Sequence, residues 1–261
     1  CLANREKIRN KIQNDSPETQ YFWRNHRHLG CIRFYDTSVV LNFHATPRQL
    51  GCHRNFPKLR GEVLIMENKV YIVRCKDYDD VEDTIGVLID LMGGMGRFAK
   101  PGEKIVLKVN LLREARPEAA VSTHPSVVAA VGRLARETGA IPVIADSPGG
   151  GYRYTRKTLD KIYTTTRMHQ AANQAGITVN WDTSSRPVSY AEGVLTKHFD
   201  IITPVYEADA VFNLCKMKTH LFTVMTGAIK NIFGVIPGLS KTGYHAKLHD
   251  MQRFTAMLLD L

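Results

Sequence analysis

From residue 66 onward, apolar and polar positions follow two periods in turn, with glycine and proline marking the breaks. Residues 70–74 form a short β-branched and aromatic run that predicts a strand. Asp79 or Asp80 is placed to cap a helix over 81–92, which the Gly93-Gly94 pair ends. A Pro101-Gly102 turn leads into 104–110, nearly continuous in apolar character as strands of buried parallel sheets are. Pro125 suits the first turn of a helix over 127–137 that stops at Gly139. Residues 141–146 predict a strand, followed by Ser147-Pro148 and three glycines. A helix over 159–175 and a strand over 177–181 come next. After a stretch without a clear period, 210–215 predict another buried strand.

Strands alternating with helical patterns argue for right-handed βαβ units, so the fold class is α/β, a mainly parallel central sheet flanked by helices. Residues 1–65 read differently. Asn25-His26-Arg27-His28 and isolated apolar pieces such as 39–43 hold neither period for long. The chain divides into a poorly patterned N-terminal extension, 1–65, and an α/β domain, 66–261. Either Met66 is the native start and what precedes it a non-native or disordered leader, or the segment is a genuine extension. The apolar helical pattern of 257–261 has no cap, and the domain reads as truncated there.

Composition narrows the classes. At 44% hydrophobic and 23% charged, the 261 residues suit a globular fold rather than a disordered or collagen-like one. No apolar run reaches the ~18 residues of a membrane helix. The net charge of +10 divides into +6 for residues 1–65 and +4 for the remainder, which has no basic stripe suited to nucleic acid. Five cysteines (Cys1, Cys31, Cys52, Cys75, Cys215) form no C-x-x-C pair, so this chain is expected to bind no cofactor through local cysteine spacing. Scattered thiols read as reduced and the protein as cytoplasmic.

Open α/β sheets place ligands beyond the carboxyl ends of their strands. Three predicted strand ends carry polar groups: Lys108 with Asn110, Asp146-Ser147, and Lys216-Met217-Lys218-Thr219-His220. In an extended segment Lys216, Lys218 and His220 share one side. A helix is expected next, bringing Thr223, Thr226, Gly227, Lys230 and Gly234 onto one stripe with Asn231 beside it. Lysines leading into a helix start suit phosphate or carboxylate. The following glycine loop could close and bring Lys241 and His245. Plainer roles compete: solvated charges for Lys216, Lys218 and Lys230, a helix cap for His220, a turn former for Asp146, a helix start for His124. No Walker loop, G-x-G-x-x-G, G-x-S-x-G or H-E-x-x-H motif is present.

The block from Lys216-Met217-Lys218-Thr219-His220 through Thr226-Gly227-Ala228-Ile229-Lys230-Asn231-Ile232-Phe233-Gly234 resembles the domain-of-unknown-function 362 family. Lys108-Val109-Asn110, Thr123-His124-Pro125, Asp146-Ser147-Pro148-Gly149 and His245 stand in that family's order. The resemblance implies an α/β domain, in longer members followed by a ferredoxin-like module with two [4Fe–4S] clusters. Such a module would lie beyond Leu261. The expected function is an iron–sulfur-linked oxidoreductase domain that binds an anionic small molecule and meets a ferredoxin-type electron-transfer partner. In that reading Lys216, Lys218 and Lys230 bind the anion. Lys108, Asn110, Ser147, Thr223 and Asn231 complete its site, and His220, His245 and Asp146 are the acid–base candidates. The competing expectation is a non-catalytic metabolite-binding or docking module.

Overall fold

The computed structural model describes residues 39–45, as backbone, and 70–261. Chain order runs β1 (Val39–Ala45), α1 (Val81–Leu91), β2 (Lys104–Val109), α2 (Pro125–Glu137), β3 (Ile141–Ala145), α3 (Arg156–Thr165), α4 (Met168–Ala175) and β4 (Thr178–Val179). It continues with a hairpin of β5 (Ser185–Ser189) and β6 (His198–Ile202), the short α5 (Thr203–Tyr206) and β7 (Ala210–Lys216). A second hairpin, β8 (Lys218–His220) and β9 (Val224–Thr226), precedes α6 (Ala228–Ile232), α7 (Ser240–Lys247) and α8 (Met251–Asp260).

The main sheet has the order β1-β7-β2-β3-β4. Strands β7, β2, β3 and β4 are parallel, and β1 adds antiparallel to β7, from Val39 opposite Lys216 to Ala45 opposite Ala210. The fold is therefore the α/β class that the strand–helix alternation predicts. From β2 the chain winds outward to β3 and β4, then returns to place β7 on the other side of β2. The topological switch point thus falls between β2 and β7. Apart from β1, residues 1–69 lie outside the described residues, and the question of a start at Met66 lies there too.

Alternation along β2 divides its side chains between two environments. Ile105, Leu107 and Val109 enter the large core, where they meet Val127 and Val131 of α2 and Phe212 and Leu214 of β7. Val106 turns to the opposite face, beside Ala145 and Val211. Lys108 shares that second face and has no exposed surface. A third cluster, with Phe199, Phe233, Ile236, Leu248, Phe254 and Met257, joins α8 to the segment after α6.

Three expectations need correction, and one stretch holds a hairpin that no pattern predicts. Residues 70–74 form no strand: Val73 is buried and Val70 and Ile72 exposed, but the segment pairs with no described strand. The helix expected over 159–175 is broken by Arg167 in the left-handed region at φ 60°. Three consecutive threonines precede that break, and β-branched residues weaken a helix. The helix expected after His220 is instead the β8–β9 hairpin. Its turn is fixed by the His220 ring, whose Nδ1 accepts from the Phe222 and Thr223 amides at 3.1 and 3.2 Å. The unpatterned stretch before 210 contains the β5–β6 hairpin, two-sided and mostly exposed, so no apolar alternation announces it.

Asp260, at the end of α8, ties that hairpin down. Its carboxylate accepts three amides, from Val194, Leu195 and Thr196, at 2.8, 2.7 and 2.8 Å. Those bonds favour the charged form and hold its pKa below the usual 3.8, against a desolvation that pushes upward. A carboxylate depressed in the folded state stabilises above its unfolded pKa and loses that contribution as pH falls through its folded pKa. Asp260→Ala should therefore lower Tm at neutral pH, and the gap to wild type should close in acid below the folded pKa. Thermal melts across that range check it, and a gap independent of pH would contradict it.

Candidate functional site

The site begins with a charge that the fold cannot leave alone. Lys108, buried on the second face of β2, places Nζ 2.7 Å from Asp146 Oδ1 at the end of β3. Nζ also donates to the Val109 carbonyl at 2.8 Å, and Asp146 Oδ2 accepts the Leu111 amide at 2.8 Å. Burial pushes Lys108 down and Asp146 up, and each partner's charge pushes back. Gly234 covers the pair at close range. A Cβ there would stand 2.1 Å from Asp146 Oδ1 and 2.5 Å from Lys108 Nζ, so only glycine fits. The Gly234 carbonyl also accepts the Ser147 amide at 3.0 Å.

Beside this pair runs a chain of amides with one polarity. Lys218 Nζ donates to Asn110 Oδ1 at 2.9 Å, and Asn110 Nδ2 donates to Asn231 Oδ1 at 3.0 Å. Asn231 Nδ2 donates to Asn213 Oδ1 at 2.6 Å, and Asn213 Nδ2 ends on the Ala228 carbonyl at 2.9 Å. Asn213 stands directly across from Lys108 in the β2–β7 register. The relay thus fixes the β8 lysine and the α6 asparagine against the two central strands.

Above lies a cleft of about 540 Å³, at the carboxyl ends of β2 and β3 and at the switch point. Among the predicted residues it brings together Asn110, Asp146, Ser147, Lys218, His220, Lys230, Asn231 and His245. Lys108 lies beneath it. Lys216 and Thr223 are not among its lining residues. Lys216 Nζ donates instead to the Tyr78 hydroxyl at 3.0 Å, on a ring stacked 3.5 Å from His124. The β7 strand ends there, and after Met217 the chain enters β8 of a different sheet, so the single extended segment expected to align Lys216 with Lys218 does not exist. Thr223 sits at the hairpin turn, its hydroxyl on the Met225 carbonyl at 3.2 Å. His124 serves as the α2 N-cap, its Nδ1 accepting the Ser126 amide at 3.4 Å.

Two contributors escape the sequence reading. Arg113 lines the cleft, and Asn213 anchors the relay. A polar residue in the middle of the apolar run 210–215 was the available signal for Asn213. Lys241 arrives from α7 as the glycine loop suggests, but it is buried. Its Nζ donates to the Ser147 carbonyl and hydroxyl, both at 2.9 Å, and to the Pro148 carbonyl at 3.1 Å. Thr226 also lines the cleft. Its hydroxyl is buried with no hydrogen-bond partner among the described residues.

The cleft is cationic under strain. Burial is the main cause that lowers Lys218 and Lys230 to about 8 and Lys241 to about 7. Neighbouring lysines push the same way, Lys216 and Lys230 on Lys218, and Lys108 on the other two. His220 and His245 are lowered too, by desolvation first and then by Lys230. Among the described residues no three His, Cys, Asp or Glu side chains gather as a metal-holding group. The two described cysteines, Cys75 and Cys215, fall short of the four thiolates of a [4Fe–4S] cluster, so these residues do not fit one.

The cleft thus lies at the switch point of an α/β fold, the place where open parallel sheets present their ligand sites. The chain belongs to the family described as Domain of unknown function (DUF362), whose model matches residues 105–261. It is also 32% identical over 208 residues to a thylakoid-associated protein of Synechocystis sp., an alignment covering 75% of this chain and 59% of that protein. The chain thus spans less than two thirds of that relative's length. No solved structure matches it. Among the described residues no helix is long and apolar enough to cross a membrane.

Removing one partner of a buried ion pair strands the other, at a cost of about 3–5 kcal/mol. Lys108→Met should destabilise the fold by that amount in urea or guanidinium unfolding. Lys108→Met/Asp146→Asn should recover part of it, since an amide still accepts the Leu111 N–H without a charge. Gly234→Ala should approach the single-variant loss by prising the pair apart. Near-neutral Lys108→Met and Gly234→Ala would show that the pair is not the structural centre.

Proposed function

We propose that the cleft binds an anionic small molecule and that this chain is the anion-binding part of an iron–sulfur-linked oxidoreductase. One observation carries the binding half. Among the described residues Asp146 is the only carboxylate lining the cleft, and it is already committed to Lys108, while Arg113, Lys218, Lys230 and Lys241 share the cleft without a further counter-charge there. A bound anion would supply the counter-charge that these lysines, depressed by burial first and by one another second, lack in the cleft, and the Thr226 hydroxyl, unpartnered among the described residues, offers it a hydrogen bond. The redox half rests on the family resemblance, with any cluster and ferredoxin-type partner supplied by other parts of a longer protein. A cytoplasmic location belongs to the same proposal. It is in keeping with the Cys75 thiol, which donates to the Asp77 carbonyl at 2.9 Å.

A second reading has its own observation. The β8–β9 tip exposes Leu221, Val224 and Met225, at 105%, 72% and 51% of full accessibility, beside the cleft mouth. A non-catalytic module that docks a partner there would leave the cleft lysines without effect on ligand binding.

Ligand that binds the native state alone raises Tm by mass action, about 2.7 kcal/mol at a hundredfold excess over Kd. The full chain should be stabilised by phosphate, a nucleotide or a small carboxylate relative to chloride at equal ionic strength. Lys218→Met and Lys230→Met should each weaken that binding about tenfold, ~1.4 kcal/mol. Because the protonated lysines carry the attraction, affinity should be highest below pH 7. It should fall as pH rises through about 8, where Lys218 and Lys230 lose their charge. Melting scans across an anion panel and pH series decide it. No shift with any anion, or shifts indifferent to both variants, would remove the proposal.

A further inference from the structure

Of the lysines at these strand ends, one differs chemically from the rest. Lys108 is paired with Asp146, and Lys241 is saturated by three oxygens. Lys218 donates to Asn110 Oδ1 and to the Val121 carbonyl, and Lys216 donates to Tyr78. Lys230 Nζ has no oxygen acceptor among the described residues. It lies 4.8 Å from the Phe233 ring centre and 5.6 Å from that of Phe254, on the cleft wall. His245 stacks on the same Phe254 at 4.6 Å and meets Phe233 edge-on at 5.4 Å. His220, also lining the cleft, spends Nδ1 as an acceptor of two backbone amides, which leaves its ring proton on Nε2. The aromatic faces attract the ammonium, but burial and the nearby Lys108 charge disfavour it, and an amine with no oxygen acceptor among the described residues, desolvated and next to another cation, has the surroundings of a nucleophilic lysine.

We propose that Lys230 forms an imine with a 2-oxo acid, whose carboxylate is held by Lys218 and the Thr226 hydroxyl. This inference rests on the anion-binding reading of the same cleft and names its substrate class. Lys218 uses two of its three N–H donors within the protein and keeps one for a ligand. The lone pair of neutral Lys230 Nζ attacks the C2 carbonyl carbon; the C–N bond forms and the carbonyl π pair moves to oxygen, which the His220 Nε2–H polarises. His245 carries two protons in succession from nitrogen to oxygen. The first gives the carbinolamine. The second lets oxygen leave as water while the nitrogen lone pair closes the C=N bond. Amine and carbonyl thus become imine and water, with no change of oxidation state. Burial and the Lys108 charge, which lower Lys230 to about 8, keep a reactive share of the neutral amine near pH 7.

The test treats the full chain with pyruvate or glyoxylate and cyanoborohydride at pH 7, followed by intact mass and peptide mapping. We expect one reduced adduct, located on Lys230. It should exceed labelling of any exposed lysine about tenfold, since those amines are almost wholly protonated at this pH. Lactate, which has the carboxylate without the carbonyl, should compete, and Lys230→Arg should abolish the adduct. Should Lys230→Arg fail to fold, the wild-type peptide map alone decides. No adduct, or labelling spread over exposed lysines with none at Lys230, overturns the imine. Stabilisation by pyruvate that Lys218→Met removes, without an adduct at Lys230, overturns the imine and keeps anion binding. Neither stabilisation nor adduct overturns both.

Discussion

A lysine with no exposed surface must find a counter-charge inside the protein, and Lys108 finds it in Asp146. Much of the architecture follows from that need. The ammonium comes from the second face of β2, the carboxylate from the end of β3, and the space around them is kept by a residue without a side chain, Gly234, just beyond α6. Three segments far apart in sequence therefore meet at one charge pair. Their meeting sets the floor of the cleft and brings α6, with Lys230 and Asn231, over the switch point. Uncompensated burial of either charge would cost several kcal/mol, comparable with a domain's whole margin of stability.

The lysines above the floor contribute in the opposite sense. In the unfolded chain Lys218, Lys230 and Lys241 would titrate near 10.4, but in the fold they do so at about 8, 8 and 7. The unfolded state therefore binds more protons from neutrality upward, and these groups make the fold gain stability as pH rises through that window. At pH 7 the cleft holds its charge at the expense of stability. That pattern is usual at sites whose compensation arrives with a ligand.

The strands and helices of βαβ type were legible in the sequence because burial on one or both faces writes a period into it. Residues 104–110, 141–146 and 210–215 stand out as apolar runs, and the polar residues at or just beyond their ends located three sides of the cleft. The β5–β6 hairpin was not legible, since an exposed two-sided ribbon carries no such pattern. The β8–β9 hairpin was hidden for another reason: its turn depends on one imidazole accepting two amides, and the threonine spacing there imitates a helical stripe. Lys216 was grouped with Lys218 on the assumption of a continuous strand, which the passage from β7 to β8 at Met217 interrupts. Asn213 and Arg113 joined the site only through pairing across the sheet and through loop return, neither of which spacing along the chain encodes.

The alternation along β2 has a consequence for how the sheet finds its alignment. Ile105, Leu107 and Val109 face the large core, while Lys108 and Asn110 lie on the side that faces Asp146 and Asn231. A slip of one residue between β2 and β7 would turn every side chain over, setting a cation and an amide among the aliphatic residues of α2 and presenting leucine and valine to Asp146. A parallel sheet held only by interchangeable aliphatic side chains would discriminate poorly between neighbouring alignments. Here the polar pairs make a misaligned sheet far costlier than the correct one, so the groups that build the floor of the cleft also act as the proofreading marks of the fold.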